Sequence, residues 1–247
     1  MKKHLIPGLH SVKEALVSGR IRVHEIWISE GRDPARAREI LEIARQTRIP
    51  VINQKQEVLN DALPGTAHQG IIAVAGEFAY IDLEDLIEIS KKSPGQGLLI
   101  AIDHITDEGN LGAIIRSAVF FGVQGIIIPK DRSAQITQNV IKRSAGTYLN
   151  IPVARVVNLS RALDLLRDEG FWIIGTAGEG TESIYCFDWH RDTVLVLGSE
   201  DKGMGHMIRN KCHQIVGIPS SGNAESLNVS VACGVILSEI IRQRGEA

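Results

Sequence analysis

Ile218-Pro219-Ser220-Ser221-Gly222-Asn223-Ala224-Glu225-Ser226-Leu227-Asn228-Val229-Ser230-Val231-Ala232 is a polar, glycine-containing loop that runs straight into an apolar helix. The first N–H groups of a helix have no partner inside it, so polar side chains gathered at a buried helix start point to a ligand held there. Ser226 taken alone reads first as an N-cap. Asn228 and Ser230 go beyond what capping by Ser226 requires.

Working back along the chain, two more stretches share this character. Ile102-Asp103-His104-Ile105-Thr106-Asp107-Glu108-Gly109-Asn110-Leu111-Gly112-Ala113-Ile114-Ile115-Arg116-Ser117-Ala118 leaves the apolar strand Leu98 to Ile102 and enters a helix that Gly122 can close. Leu195-Val196-Leu197-Gly198-Ser199-Glu200-Asp201-Lys202-Gly203-Met204-Gly205 leaves another apolar strand through a glycine-rich turn. From Leu98 onward strands and helices alternate. Strands are predicted near 98–103, 125–129, 151–157, 171–176, 194–198 and 215–218, with helices near 110–121, 136–145, 159–169, 204–211 and 227–243. Such alternation predicts an α/β domain with a mainly parallel sheet covered on both faces. All three polar loops then leave carboxyl ends of strands, where open parallel sheets bind ligands.

Together the three stretches resemble, in order and spacing, the motifs of the SpoU (TrmH) family of S-adenosylmethionine-dependent RNA ribose methyltransferases. Those motifs read roughly N-x-G-x-x-x-R, G-x-E-x-x-G and I-P-x-x-G-x-x-x-S-L-N-V-S. Pro7-Gly8-Leu9-His10-Ser11-Val12-Lys13-Glu14-Ala15-Leu16 and Ala67-His68-Gln69-Gly70-Ile71-Ile72-Ala73 resemble the opening and close of a small RNA-binding domain. That domain precedes the catalytic one in the bacterial 23S rRNA guanosine 2'-O-methyltransferases of the RlmB type. The resemblance implies a trefoil-knotted SPOUT catalytic domain behind a small α/β ribosomal-protein-like RNA-binding domain. Residues 1–76 would bind RNA, 77–97 would form a linker around the Pro94-Gly95 cluster, and 98–247 would carry catalysis.

The resemblance also implies the chemistry: methyl transfer from S-adenosylmethionine to a guanosine ribose 2'-hydroxyl in 23S rRNA. Thr176, Gly178, Gly198, Ile218 and Leu227 match cofactor-binding positions. Arg116 matches the family's essential arginine, either a base beside a substrate phosphate or the group that binds that phosphate. Because a guanidinium deprotonates reluctantly, positioning is preferred. Gly112 and Ala113 share its helix face and leave room for RNA or another chain. Asn110 reads as a substrate contact or as an N-cap. Glu200 would orient Arg116 or a ribose hydroxyl, and Ser226 and Asn228 would shape the methyl-transfer pocket. The family acts as homodimers through the catalytic domains, one subunit's arginine reaching the neighbour's cofactor. Two departures stand out: Asp107-Glu108 lacks the family's proline, and Asp201 replaces a usual glycine.

Composition bounds the alternatives. A chain of 247 residues, 44% hydrophobic, can bury one large core or two modest ones. Its net charge of −2 gives no support for nucleic-acid binding. The distribution is more useful, with 11 Lys and Arg against 9 Asp and Glu over residues 1–80, and 8 against 12 over residues 160–247. Basic clusters occur at Arg32, Arg36 and Arg38, at Lys130 and Arg132, and at Lys142 and Arg143. Cys186, Cys212 and Cys233 are too scattered for a disulfide framework or a zinc site and read as reduced core thiols. No apolar run spans a bilayer and no secretory pattern precedes Pro7, which predicts a soluble cytoplasmic protein. Gly175-Thr176-Ala177-Gly178-Glu179-Gly180 is not G-x-G-x-x-G, and no P-loop pattern occurs, which argues against dinucleotide and nucleoside-triphosphate enzymes. Two rivals remain: a tRNA ribose methyltransferase and a catalytically silent RNA-binding or ribosome-assembly protein.

Overall fold

The structure, a computed structural model, describes residues 4–31, 34–223 and 226–245. Arg32 and the side chain of Arg36 lie outside the described residues, as do Ala224 and Glu225 of the third motif. The first elements are β1 (His4–Pro7), α1 (Leu9–Ser18), β2 (Ile21–Ser29), α2 (Arg38–Thr47), β3 (Val51–Gln54), α3 (Gln56–Ala62), β4 (Ile71–Phe78) and α4 (Leu83–Lys92). Next come β5 (Leu98–Ile102), α5 (Glu108–Phe120), β6 (Gly125–Pro129), α6 (Gln138–Arg143), β7 (Val153–Val156) and α7 (Leu159–Asp168). The last are β8 (Trp172–Thr176), β9 (Glu182–Ser183), β10 (Thr193–Leu197), α8 (His206–Arg209), β11 (Gln214–Gly217) and α9 (Val229–Arg244).

Two compact units emerge, residues 1–79 with 136–150, and residues 80–135 with 151–247. The first holds a four-stranded sheet in the order β1-β4-β2-β3, in which only β2 and β3 are parallel. Ile40 and Ala44, four residues apart on α2, are both buried, as the amphipathic spacing of that segment dictates. Chain continuity alone would keep residues 136–150 with the catalytic half, and the packing does not. The Gln138 side chain accepts from the Leu5 N–H at 3.0 Å and donates back to the Leu5 carbonyl. Buried Tyr148 lies 5.7 Å from the Phe78 ring, and Gly146, at φ +86°, lets Ser11 approach where a Cβ would stand 2.4 Å from its Oγ.

The second unit is a seven-stranded, wholly parallel sheet in the order β7-β6-β5-β10-β8-β11-β9. Its central strands Leu98–Ile102 and Thr193–Leu197 are buried at every position, as continuous apolar runs covered on both faces must be. The segment read as a linker, 77–97, carries α4, which belongs to this core. Leu83, Leu86, Ile87 and Ser90 repeat at helical spacing and are buried. Contact is so close that a Cβ on Gly125 would stand 2.1 Å from Leu86 Cδ1. The cysteines differ from one another: Cys233 is buried, its thiol pushed up by burial to about 12, Cys212 is half-buried, and Cys186 is exposed and no core thiol. Among the described residues no helix is long and apolar enough to cross a membrane.

Candidate active site

Strands β5, β10, β8 and β11 are sheet neighbours and run parallel, so the loops that follow them leave one edge of the sheet. The first loop is tied to the second by a buried carboxylate. Asp103 accepts from Gly205 N–H at 2.7 Å through Oδ2 and pairs with His104 Nδ1 at 2.6 Å through Oδ1. Asp107 then caps α5, its side chain accepting from Asn110 N–H at 2.7 Å. The cap reading of Asn110 is thereby displaced, and its side chain is left for other work. Glu108 occupies the first helical position, where proline is favoured and where an acidic side chain also suits the helix dipole. The missing family proline therefore leaves the helix start intact.

The second loop is a tight turn. Ser199 and Gly203 exchange N–H···O bonds of 3.1 and 2.9 Å, and Gly203 takes φ +63°. Gly198 is buried beneath this turn, and a Cβ there would meet Gly203 C and Met204 N at 2.3 Å. The turn carries Glu200 outward. One of its oxygens, Oε1, accepts from Asn110 Nδ2 at 3.0 Å, from Asn228 Nδ2, and from Val229 N–H at 3.3 Å. Asn228 Nδ2 also donates to Asn110 Oδ1 at 2.9 Å. Asn110, Glu200 and Asn228, one from each motif and up to 118 residues apart in sequence, thus form a closed hydrogen-bonded triangle. Among the described residues no hydrogen bond or ion pair joins Glu200 to Arg116.

Asn228, not Ser226, is the N-cap of α9. Its Oδ1 accepts from Ser230 N–H at 2.9 Å, from Ser230 Oγ at 2.6 Å and from Val231 N–H at 3.4 Å. Capping does engage Asn228, against the reading that it lies beyond capping, while Ser230 takes a structural role and steadies the cap. The cap uses the amide oxygen and the triangle uses the amide nitrogen, so one side chain does both. Asn228→Ala should cost about 1 kcal/mol of stability for the cap alone. Thermal unfolding measures it, and a melting temperature unchanged from wild type would contradict the double role.

The remaining positions fall around this triangle in sequence and along the same sheet edge. Thr176 ends β8, its hydroxyl donating to Val196 O at 3.1 Å, while Gly178 is exposed in the following loop. Ile218 follows β11 directly and is half-buried; Leu227 is exposed and adjoins Asn228. The backbone N–H groups of Gly198, Ile218 and Leu227 have no partner among the described residues. Backbone donors and glycine-lined turns suit the edge of an adenine and ribose hydroxyls, so the residues fit an adenosine cofactor. Ser226 is exposed without a hydrogen bond among the described residues. Arg116 is exposed on α5 and likewise lacks a described partner, with Gly112 and Ala113 on its face. The sequence reading missed Asp103 as a structural tie, although a lone acid ending an apolar strand is a signal for one.

Comparison with known proteins bears on the same residues. The profile of the SpoU rRNA Methylase family matches residues 97–238, and that for RNA 2'-O ribose methyltransferase substrate binding matches residues 5–81. The chain is 40% identical over 237 residues to the 23S rRNA (guanosine-2'-O-)-methyltransferase RlmB of Pseudomonas aeruginosa, covering 96% of this chain and 95% of that one. Among solved structures it is similar to the SpoU methyltransferase AviRb from Streptomyces viridochromogenes in complex with AdoMet. That match has a TM-score of 0.83 and 27% identity, over 99% of this chain and 92% of that one. The A. aeolicus TrmH/SpoU tRNA modifying enzyme aligns with 66% of this chain and 83% of its own, at 30% identity and a TM-score of 0.55. With its three motif loops joined at one edge of a parallel sheet and both profiles matched, the chain belongs to the SpoU rRNA methylase family.

Proposed function

We propose that the chain transfers a methyl group from S-adenosylmethionine to the ribose 2'-hydroxyl of a guanosine in 23S rRNA. The triangle of Asn110, Glu200 and Asn228 carries this reading, because it joins one polar side chain from each of the three motif loops at one edge of the parallel sheet. When bound, the cofactor supplies a methyl group on a sulfonium, already a good leaving group. The protein then has to align the hydroxyl, assist loss of its proton and keep water away. Thr176, Gly178, Gly198, Ile218 and Leu227 hold the cofactor in this reading. Glu200 Oε1 is occupied by three N–H groups, which leaves Oε2 to accept from a ribose hydroxyl. Arg116 binds the adjoining phosphate and fixes the sugar, with Ser226 lining the pocket mouth.

A homodimer through the catalytic domains completes the site. Support comes from α5 and α9, which pack together and leave Phe120 81% and Val231 51% exposed. Large apolar side chains this open suit a second copy. The trefoil knot, an RNA-holding role for residues 1–76, a catalytic role for 98–247 and a cytoplasmic location belong to the same proposal. Alignment of the RlmB relative over nearly the whole chain favours rRNA over tRNA, since the tRNA enzyme aligns with only 66% of it.

Calorimetry with S-adenosylmethionine and a map of ribosomal-RNA 2'-O-methyl groups, from cells with and without the protein, test the proposal. Cofactor binding and one guanosine methyl group missing from 23S rRNA are expected. Absence of cofactor binding would support the silent RNA-binding alternative, and an unchanged rRNA map would remove the substrate.

A further inference from the structure

The first unit contains a cleft of about 630 Å³ lined by Ser29, Glu30, Asn60, Thr66, His68 and Gln69 among others. None of these residues takes part in the methyl-transfer site, and all lie in one compact unit. His68 is 4% exposed, and its Nδ1 accepts from Gly70 N–H at 3.1 Å. The ring hydrogen therefore sits on Nε2, which donates to Asn60 Oδ1 at 2.8 Å. That bond engages the Asn60 oxygen, which also accepts from Gln56 Nε2 at 3.5 Å, while the Asn60 amide NH2 has no partner among the described residues. Gln69, held at φ +53°, uses Oε1 to accept from Leu9 N–H at 3.4 Å, so its NH2 is likewise unengaged. A non-glycine residue in the left-handed region is uncommon and is tolerated where its surroundings enforce it.

The cleft is thus lined by two side-chain amides whose NH2 groups have no partner among the described residues, beside acceptors on Glu30, Ser29 and Thr66. Among the described residues no lysine or arginine lines it, and Glu30 would repel a phosphate. Mixed amide donors and a carboxylate acceptor match the edge of a nucleobase, and guanine, whose N1–H and N2–H2 donors suit a carboxylate and whose O6 and N7 acceptors suit amide donors, matches best. We infer that this cleft receives an unstacked base of the rRNA, a guanine by preference, and so selects the RNA that reaches the catalytic unit. The inference rests on the reading of the first unit as the RNA-holding one.

The test is equilibrium filter binding of protein-free 23S rRNA, with excess tRNA as competitor, to the full chain and to the Asn60→Ala, Gln69→Ala double variant. Affinity should fall about tenfold, the size of a lost base-edge contact. The slope of log affinity against log salt should not change, since no phosphate contact is removed. Cofactor affinity by calorimetry and the melting temperature should also hold. Wild-type rRNA affinity in the folded variant would overturn the inference, as would a loss accompanied by a shallower salt slope. Should the double variant fail to fold, Gln69→Ala alone leaves the His68–Asn60 bond intact without adding charge, and a smaller loss at unchanged salt slope is expected, wild-type affinity again overturning the inference. If the wild-type chain binds 23S rRNA but transfers no methyl group, the catalytic reading fails while the affinity comparison still decides the cleft.

Discussion

Arg116→Ala is expected to lower methyl transfer to 23S rRNA by about two to three orders of magnitude, the loss seen when a preorganised charge is removed from a reacting centre. Stability should stay within about 0.5 kcal/mol, because the side chain is exposed, has no described partner, and alanine suits a helix interior. Cofactor affinity should stay near wild type as well. Initial rates with tritiated cofactor, alongside calorimetry and thermal melts, separate these three quantities. Near-normal turnover would take Arg116 out of the mechanism. Arg116→Lys sharpens the test, since a lysine keeps the charge without the planar fork and should restore only part of the rate if phosphate positioning is the role.

The second large effect is expected at Gly198. An added methyl group would stand 2.3 Å from Gly203 C and Met204 N, both backbone atoms, so the turn itself has to move. Gly198→Ala should cost about 1–3 kcal/mol of stability through overpacking. A displacement of about 1 Å in a site that aligns reactants can cost a hundredfold in rate. Glu200 sits two residues beyond this crowded position, so cofactor affinity and turnover should fall together. A variant with wild-type melting temperature and wild-type affinity would show that the turn tolerates the methyl group and is no cradle.

Much of the second unit was legible in the sequence because its strands are covered on both faces and appear as unbroken apolar runs. Gly125–Pro129 matches its predicted bounds, and Leu98–Ile102 lies one residue inside them. Helix bounds moved by one or two residues where caps decide them: α5 begins at Glu108 because Asp107 caps it, and α9 begins at Val229 because Asn228 does. The residue types of the triangle were legible, while their mutual bonds depend on strand order, which no local pattern encodes. Strand β10 is inserted between β5 and β8, far out of chain order, and this brings Glu200 to Asn110. Short β9 and α3 escaped notice, since two and seven residues carry little periodicity. The Asn60 amide was invisible for another reason: its orientation follows from a histidine tautomer set by a backbone N–H ten residues away.

The first unit is discontinuous along the chain, borrowing residues 136–150 from the stretch between β6 and β7, the second and third strands of the parallel sheet in chain order. Ile136, Val140, Ile141, Tyr148 and Leu149 are all buried in the folded chain. Cleaving the polypeptide after residue 97 would therefore separate that segment from β1, α1 and β4, its partners within the unit. The C-terminal fragment would carry an orphaned greasy face into solution, and its solubility would depend on polar replacements at Val140 and Leu149.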